Sequence, residues 1–186
     1  EVFFWDCAMH RRTFLKTLAA GLNGLIGLAV VIPGIRFLLD PLRRASRQRG
    51  FIRVAPVTSL APGRPARVTV MADRWDAYTH HPPGPIGNVW LLRNESDDRE
   101  PKIRCLHVIC PHLGCAIDFA ADRNAFHCPC HASEFDSAGR RRFGPSPRDM
   151  DELECRISDA DESGVRWVEV KYQEFQTGVS EKRPTA

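Results

Sequence analysis

The chain has 186 residues, of which 43% are hydrophobic and 26% charged. This size excludes a large multidomain catalyst, and this composition excludes an intrinsically disordered or fibrous chain. The formal net charge is +3, but residues 1–53 hold nine Lys and Arg against three Asp and Glu, whereas the remainder is net acidic. A basic N-terminal segment followed by an acidic remainder argues against nucleic-acid binding by that remainder and favours contact with a membrane surface.

The first predicted element is a membrane-spanning helix. Residues 17–35 form a run of nineteen uncharged residues. As a helix at about 1.5 Å per residue, the run spans about 28 Å, close to the bilayer's hydrocarbon core of about 30 Å. We predict a transmembrane helix over residues 17–39. The alternatives are a buried core helix and a cleaved signal peptide, although no small-x-small cleavage site follows the run.

The segments on either side of this helix have distinct predicted roles. Residues 10–16, HRRTFLK, resemble the twin-arginine export signal, and plain flanking arginines are the alternative. Residues 1–16 are therefore assigned as an extension and signal, in which residues 1–8 carry no expected function. Residues 40–50 are polar and basic and are predicted to be a hinge. The signal would put the following domain outside a bacterial cytoplasmic membrane.

The body, residues 51–186, is predicted to be all-β. Short β-like runs alternate with Pro, Gly, Asn and Asp, and no convincing long amphipathic helix follows the anchor. This pattern is typical of an antiparallel barrel or sandwich. The eight candidate strands cover residues 51–57, 66–71, 88–92, 103–109, 116–120, 125–128, 153–157 and 165–172.

Two cysteine- and histidine-containing loops carry the chemistry. Four of the seven cysteines lie between residues 110 and 130, which favours a metal site over a scattered disulfide framework. Cys110-x-His112 and Cys128-x-x-His131 supply two thiolates and two imidazoles. Zinc accepts that set in a closed tetrahedral site. A [2Fe–2S] cluster with mixed ligation needs the same four groups.

The motif C-x-H-x-G-C followed by C-P-C-H-x-S resembles the signature of the Rieske iron–sulfur family, in its disulfide-bearing branch. The resemblance implies one [2Fe–2S] cluster per chain. Cys110 and Cys128 would bind one iron, and His112 and His131 would bind the other. It also implies a β-sandwich or barrel head with a small cluster-binding part at about residues 105–147.

The resemblance further implies a disulfide between Cys115 and Cys130 and a set of residues around the cluster. Ser133 matches a serine that donates a hydrogen bond to sulfur, but Phe135 occupies the position of a donating tyrosine. Losing that bond would lower the potential by tens of millivolts and favour menaquinol over ubiquinol, unless the loss is compensated elsewhere. Residues 144–147, GPSP, resemble the proline loop that covers the cluster. The surrounding residues are Leu113, Ser133, Phe135, Pro145 and Pro147.

The resemblance implies the iron–sulfur subunit of a bacterial quinol–cytochrome c reductase. His131 and His112 would contact quinol at a site on cytochrome b, take one electron and pass it to a c-type cytochrome, coupled to proton translocation. The subunit would belong to a dimeric complex or a supercomplex. The alternatives are the small subunit of an arsenite oxidase-like molybdoenzyme and a structural zinc-binding protein.

Other residues have weaker claims to function. Cys105 and Cys155 are expected to be buried free thiols in strands, with a second disulfide as the alternative, and His80-His81-Pro82-Pro83 is expected to be an exposed loop. His107 and His127 fit neither ligand position, and Cys7 has no interpretation. The remaining expectations are a solvated face at residues 140–142 and core positions for Trp75, Trp90 and Trp167.

Overall fold

A computed structural model describes residues 11–43, 50–76, 79–94 and 101–185. The chain divides into two units, Glu1–Arg47 and Gln48–Ala186. The predicted extension at residues 1–8, Cys7 within it, and residues 44–49 of the predicted hinge lie outside the described residues.

The described part of the first unit is one helix, α1, Arg11–Arg43. It is longer at both ends than the predicted span of residues 17–39, and it includes the paired arginines of the signal-like motif. Its segment Arg11–Asp40 is long and apolar enough to cross a membrane, and none of its most apolar stretch is buried. The alternative of a buried core helix is therefore not supported. The helix runs through Pro33 without interruption, which membrane helices tolerate.

The described residues of the second unit form eleven strands and no α-helix, which confirms the all-β prediction. All strand pairs are antiparallel, and they form three sheets with the orders β1-β11-β10, β2-β3-β4-β9 and β5-β6-β7-β8. The strands are β1 Ile52–Pro56, β2 Ala66–Asp76, β3 Thr79–Arg93, β4 Ile103–His107, β5 Asp118–Ala120, β6 Ala125–His127, β7 Glu134–Asp136, β8 Arg141–Phe143, β9 Glu152–Leu153, β10 Cys155–Ile157 and β11 Trp167–Val170.

The first two sheets enclose the larger core. Their apolar side chains interdigitate because alternate residues of a strand point to the same face. Cys105 is fully buried there as a free thiol, as expected, whereas Cys155 is a free thiol that is only half-buried. Burial raises the pKa of both thiols, which keeps them protonated and unreactive. The buried set is Ala55, Val57, Leu60, Val70, Val89, Leu91, Cys105, Leu153, Val168, Val170 and Tyr172.

The third sheet has its own core, beneath the two cysteine-containing loops. Trp90 on β3 is buried as expected, and its Nε1–H donates to the Ile117 carbonyl at 3.1 Å. Its ring packs on Phe126, with ring centroids 5.4 Å apart. This second core therefore ties the small sheet to the larger one. Its buried members are Trp90, Leu106, Val108, Cys110, Ile117, Phe126, Cys128, Phe135 and Met150.

The expectation of a loop at residues 80–83 is wrong, because strand β3 begins at Thr79. His80 and the two prolines are exposed as expected. Among the described residues, the first half of β3 pairs with β2 alone, because its pairing with β4 begins only at Val89. A proline is tolerated at such an edge since its missing N–H breaks no ladder on the unpaired side.

Strands β7 and β8 were not predicted, because β7 directly follows the second cysteine-containing loop and β8 is exposed throughout and shows no alternation. The expectation of a solvated face at residues 140–142 is confirmed, since all three arginines are exposed. Trp167 is half-buried rather than fully in the core, and its Nε1–H donates to Asp161 at 2.9 Å. Nothing is described of the Trp75 side chain.

Candidate metal centre

The first candidate loop, residues 110–115, follows β4 and turns tightly on itself. The Cys110 N–H donates to the Cys115 carbonyl at 2.8 Å, and the Gly114 N–H donates to the Cys110 carbonyl at 3.0 Å. Gly114 has a φ of 83°, a left-handed conformation that glycine adopts at little cost. Leu113, beside His112 in this turn, is 61% exposed.

The second candidate loop, residues 128–133, joins β6 to β7 and repeats the same construction. The Cys128 N–H donates to the Ser133 carbonyl at 2.8 Å, and the Ala132 N–H donates to the Cys128 carbonyl at 3.1 Å. Ala132, four residues after its cysteine like Gly114 in the first loop, also has a left-handed φ, of 55°. The two loops therefore present their first cysteine and their following residues in matching geometry.

The two loops are joined by a disulfide between Cys115 and Cys130, with 6.6 Å between the Cα atoms. The sulfur atoms of Cys115, Cys128 and Cys130 lie within 4.8 Å of one another. That trio is not a ligand set, however, because a sulfur in a disulfide is no longer a thiolate donor. The thiols left for a metal are those of Cys110 and Cys128, which are both free and buried.

The two histidines of the donor set lie next to each other. The His112 and His131 rings meet edge to face, with centroids 4.9 Å apart, and His131 is exposed. The Nδ1 atom of His112 is buried and has no hydrogen-bond partner among the described residues. A buried nitrogen without a partner is costly unless something binds it. The His112 Nδ1 atom is therefore available to bind a metal.

The two thiols also fit a metal. Burial, and after it the neighbouring Cys128 thiol, raises the pKa of Cys110 to about 11, whereas the His112 amide and the Ser133 hydroxyl act in the opposite direction. Two adjacent buried thiols cannot both ionise cheaply without a cation to compensate their charge. The donor set of two thiols and two imidazoles suits the mixed ligation of a Rieske [2Fe–2S] cluster.

Ser133 links the donor set to the proline loop. It is fully buried, and its hydroxyl oxygen accepts a hydrogen bond from the Ser146 N–H at 3.1 Å. With that lone pair occupied, the hydroxyl hydrogen is free to point at the Cys110 sulfur, in agreement with its effect on the Cys110 pKa. Phe135 is fully buried in the second core and offers no hydroxyl.

The proline loop, residues 144–147, presses directly on the second candidate loop. Gly144 has a φ of 98°, and a Cβ atom there would lie 2.5 Å from the Ser133 Cα. Pro145 is exposed, Pro147 is half-buried and Ser146 is fully buried between them. The close approach explains why this position holds a glycine. The loop thus covers one side of the donor set.

Two features of this region escaped sequence reasoning. His107 is buried; its Nδ1 accepts the Ile109 N–H at 3.0 Å, and its Nε2 has no partner among the described residues. Burial lowers the pKa of His107 to about 4. Arg148 and Asp151 form a buried ion pair beside the proline loop. Their spacing of three residues was a local signal, but their burial depends on the distant C-terminal segment.

His127 lies half-buried on β6, outside the donor set, and its buried Nδ1 has no partner among the described residues. The predicted donors and the predicted surrounding residues all lie in the two candidate loops, on β7 and in the proline loop. The sequence-predicted residues thus form one continuous region at one end of the small sheet.

Comparisons with known proteins identify the family. The profile of the Rieske [2Fe-2S] domain matches residues 50–155. The menaquinol:cytochrome c reductase iron-sulfur subunit of Bacillus subtilis (strain 168) is 28% identical over 155 residues, covering 81% of this chain and 88% of the relative. A chloroplastic cytochrome b6-f complex iron-sulfur subunit of Nicotiana tabacum is 38% identical over 180 residues, covering 91% and 71%. A chain of the solved hyperthermophilic respiratory Complex III is 19% identical, with coverages of 81% and 98% and a TM-score of 0.39.

Proposed function

This chain belongs to the Rieske [2Fe–2S] domain family, and from that premise we propose that it is the iron–sulfur subunit of a quinol–cytochrome c reductase. The observation that carries the proposal is the pair of matched loops, which brings two buried thiols and two neighbouring imidazoles together. The relative from Bacillus subtilis, whose name describes that activity, spans most of both chains.

The proposed ligands divide by burial. Cys110 and Cys128, in the interior, would hold one iron, and His112 and His131, toward the surface, would hold the other. The bound cluster supplies a one-electron couple, whose potential is raised by the neutral imidazoles. The Ser133 hydroxyl and the His112 amide would donate to the Cys110 sulfur and so favour the more negative, reduced state.

His131 is the proposed contact for quinol. Its ring is exposed, so its outer edge is available to accept a hydrogen bond from a quinol hydroxyl. The exposed Leu113 side chain would add an apolar contact for docking in a membrane-embedded quinol site. The proline loop would limit the access of water from the side on which it covers Ser133.

Menaquinol is the proposed substrate. Phe135 takes the position at which relatives that oxidise ubiquinol carry a hydrogen-bonding tyrosine, and a phenyl ring cannot donate. One fewer donor to sulfur lowers the potential, which suits a quinol that is itself a stronger reductant. The name of the Bacillus subtilis relative refers to the same quinol.

The proposed setting is the outer side of a bacterial cytoplasmic membrane, with α1 as the anchor. The length and hydropathy of Arg11–Asp40 support the anchor, and the signal-like HRRTFLK motif supports export of the folded head. The proposed partners are a cytochrome b subunit, which provides the quinol site, and a c-type cytochrome, which accepts the electron. The complex would be dimeric or part of a supercomplex.

Co-purification from native membranes tests the assembly. A tagged chain should retain haems b and c, and the isolated complex should reduce cytochrome c with menaquinol. A His131→Ala variant should abolish that turnover, with Arg156→Met, which lies outside the two candidate loops, as the control. Molybdenum in place of haem b would indicate the arsenite oxidase-like alternative, and zinc without iron would indicate a structural zinc protein.

A further inference from the structure

The C-terminal segment contacts the first candidate loop. Residues 176–179, termed the strap, lie in a hairpin in which Phe175 pairs with Pro184. Within the strap, the Gly178 N–H donates to the Pro111 carbonyl at 2.8 Å. The Thr177 side chain lies 3.9 Å from the position that a Cβ atom on Gly114 would take. The strap therefore contacts the loop that carries Cys110 and His112.

One buried guanidinium holds the strap at both ends. Arg148 donates through Nη2 to the Gln176 carbonyl at 2.8 Å and through Nη1 to the Val179 carbonyl. The same group forms two bonds with Asp151, at 2.9 and 2.8 Å. The Arg148 and Asp151 side chains are only 9% and 6% exposed. A planar guanidinium is suited to this arrangement because its donors point in fixed directions.

From Arg148 the contacts continue to the second candidate loop. The Ser146 hydroxyl donates to the Arg148 carbonyl at 2.8 Å, and the Ser146 N–H donates to the Ser133 hydroxyl at 3.1 Å. Ser133 in turn closes the second loop by accepting the Cys128 N–H at its carbonyl. An unbroken set of contacts thus runs from the second loop through Arg148 and the strap to the first loop.

The strap is not backed by solid packing. A cavity of about 220 Å³ lies beneath the first loop, and its lining includes His107, Pro111, Asp151, Phe175 and Thr177. This space is partly open to solvent, so apolar packing contributes less to the position of the loop here than it would in a close-packed core.

We infer that Arg148 is a positioning residue that bridges the two ligand loops without a covalent bond, in parallel with the Cys115–Cys130 disulfide. The inference rests on the proposed function, because it concerns the loops proposed to hold the cluster. Either connection, the disulfide or the contacts of Arg148, would hold the two loops in position when the other is absent. Loss of both should therefore affect the metal centre more than the separate losses combined.

A double-mutant cycle tests this inference on the full-length chain loaded with its cluster. The variants are Arg148→Met, Cys115→Ser with Cys130→Ser, and their combination. Cluster release is followed by the loss of visible absorption in the presence of an iron chelator. Arg148→Met should release the cluster at least about tenfold faster than the unmodified chain, because one partner of a buried ion pair is lost. The combined variant should speed cluster release by a factor larger than the product of the factors measured for the separate variants.

Two controls separate positioning from general destabilisation. Arg156→Met removes an arginine that also forms two contacts with a carboxylate, that of Glu169, but in the sheet β1-β11-β10. It should leave cluster release unchanged. Deletion of residues 176–186 leaves the Arg148–Asp151 pair in place and removes the strap, and it should reproduce the faster release even if Arg148→Met fails to fold.

A local readout completes the test. Arg148→Met or the deletion should speed hydrogen exchange at the Cys110 and Gly114 amides, with no change at the Val168 amide in the larger core. The inference would be overturned if hydrogen exchange and cluster release were unchanged in both Arg148→Met and the deletion. It would also be overturned if the combined variant released its cluster no faster than the disulfide variant alone. If the unmodified chain shows no [2Fe–2S] spectrum, the proposed function fails instead, so the two failures are distinguishable.

Discussion

Replacing Ser133 with alanine isolates one hydrogen bond to the proposed cluster sulfur. The residue is fully buried, and its hydroxyl is held between the Ser146 N–H at 3.1 Å and the Cys110 sulfur. A hydrogen bond to sulfur stabilises the reduced state more than the oxidised state, because the reduced state carries more negative charge. Ser133→Ala should therefore lower the midpoint potential.

The size of this shift follows from the energy of the lost bond. A hydrogen bond of about 1–2 kcal/mol corresponds to about 40–90 mV for a one-electron couple, since a tenfold change in equilibrium constant is about 59 mV. Protein-film voltammetry at fixed pH measures the potential directly. The Ser146 N–H also loses its acceptor, so cluster content must be determined in the same samples.

A matched control is Ser137→Ala, in the turn between β7 and β8 of the same small sheet. It removes a hydroxyl from the same part of the molecule without touching Cys110 or the proline loop, and it should leave the potential unchanged. If Ser133→Ala retains its cluster and its potential equals that of the unmodified chain, the hydroxyl does not donate to the sulfur and the reasoning is refuted.

Three further outcomes are expected. Phe135→Tyr should raise the midpoint potential by about 40–90 mV if its added hydroxyl reaches sulfur; an unchanged potential with lower stability would show a buried hydroxyl without a partner. Burial lowers the pKa of His107 from 6.5 to about 4. The folded protein is therefore most stable, as far as this ring is concerned, above pH 6.5, where the ring is neutral in both the folded and the unfolded state. As the pH falls from 6.5 toward 4, the unfolded state gains a proton first, and the free energy of unfolding decreases by up to about 3 kcal/mol. The free energy of unfolding of His107→Gln, measured with urea, should change less between pH 6.5 and pH 4 than that of the unmodified chain. An equal pH dependence in both proteins would contradict the prediction. Gly144→Ala should impair cluster assembly, because its Cβ would lie 2.5 Å from a backbone atom, and iron content like that of the unmodified chain would contradict this.

The all-β architecture was predictable because period-2 hydrophobic runs are local signals. Strands β7 and β8 were not, since β7 directly follows the second cysteine-containing loop and β8 has three exposed residues with no alternation. The edge position of the first half of β3 also escaped prediction. Two adjacent prolines normally argue against a strand, and only the tertiary structure shows that, within the described part of the chain, this segment pairs with β2 alone.

The donor set was predictable for a different reason. Each loop places its cysteine and histidine two or three residues apart, so the chemistry is visible in a short stretch of sequence. The support of the loops is not local. Arg148 reaches the carbonyls of Gln176 and Val179, about thirty residues away, and no short pattern encodes that contact. The same holds for His107, whose low pKa comes from burial.

The central claim is that two cysteines and two histidines hold a [2Fe–2S] cluster in this chain. Pulsed electron paramagnetic resonance of the reduced, purified protein tests the ligand set most directly, because it detects nitrogen nuclei bound to iron. The account predicts two strongly coupled nitrogens, one from His112 and one from His131, together with two irons per chain. An iron–sulfur signal without coupled nitrogen, or a colourless protein with one zinc per chain, would contradict it.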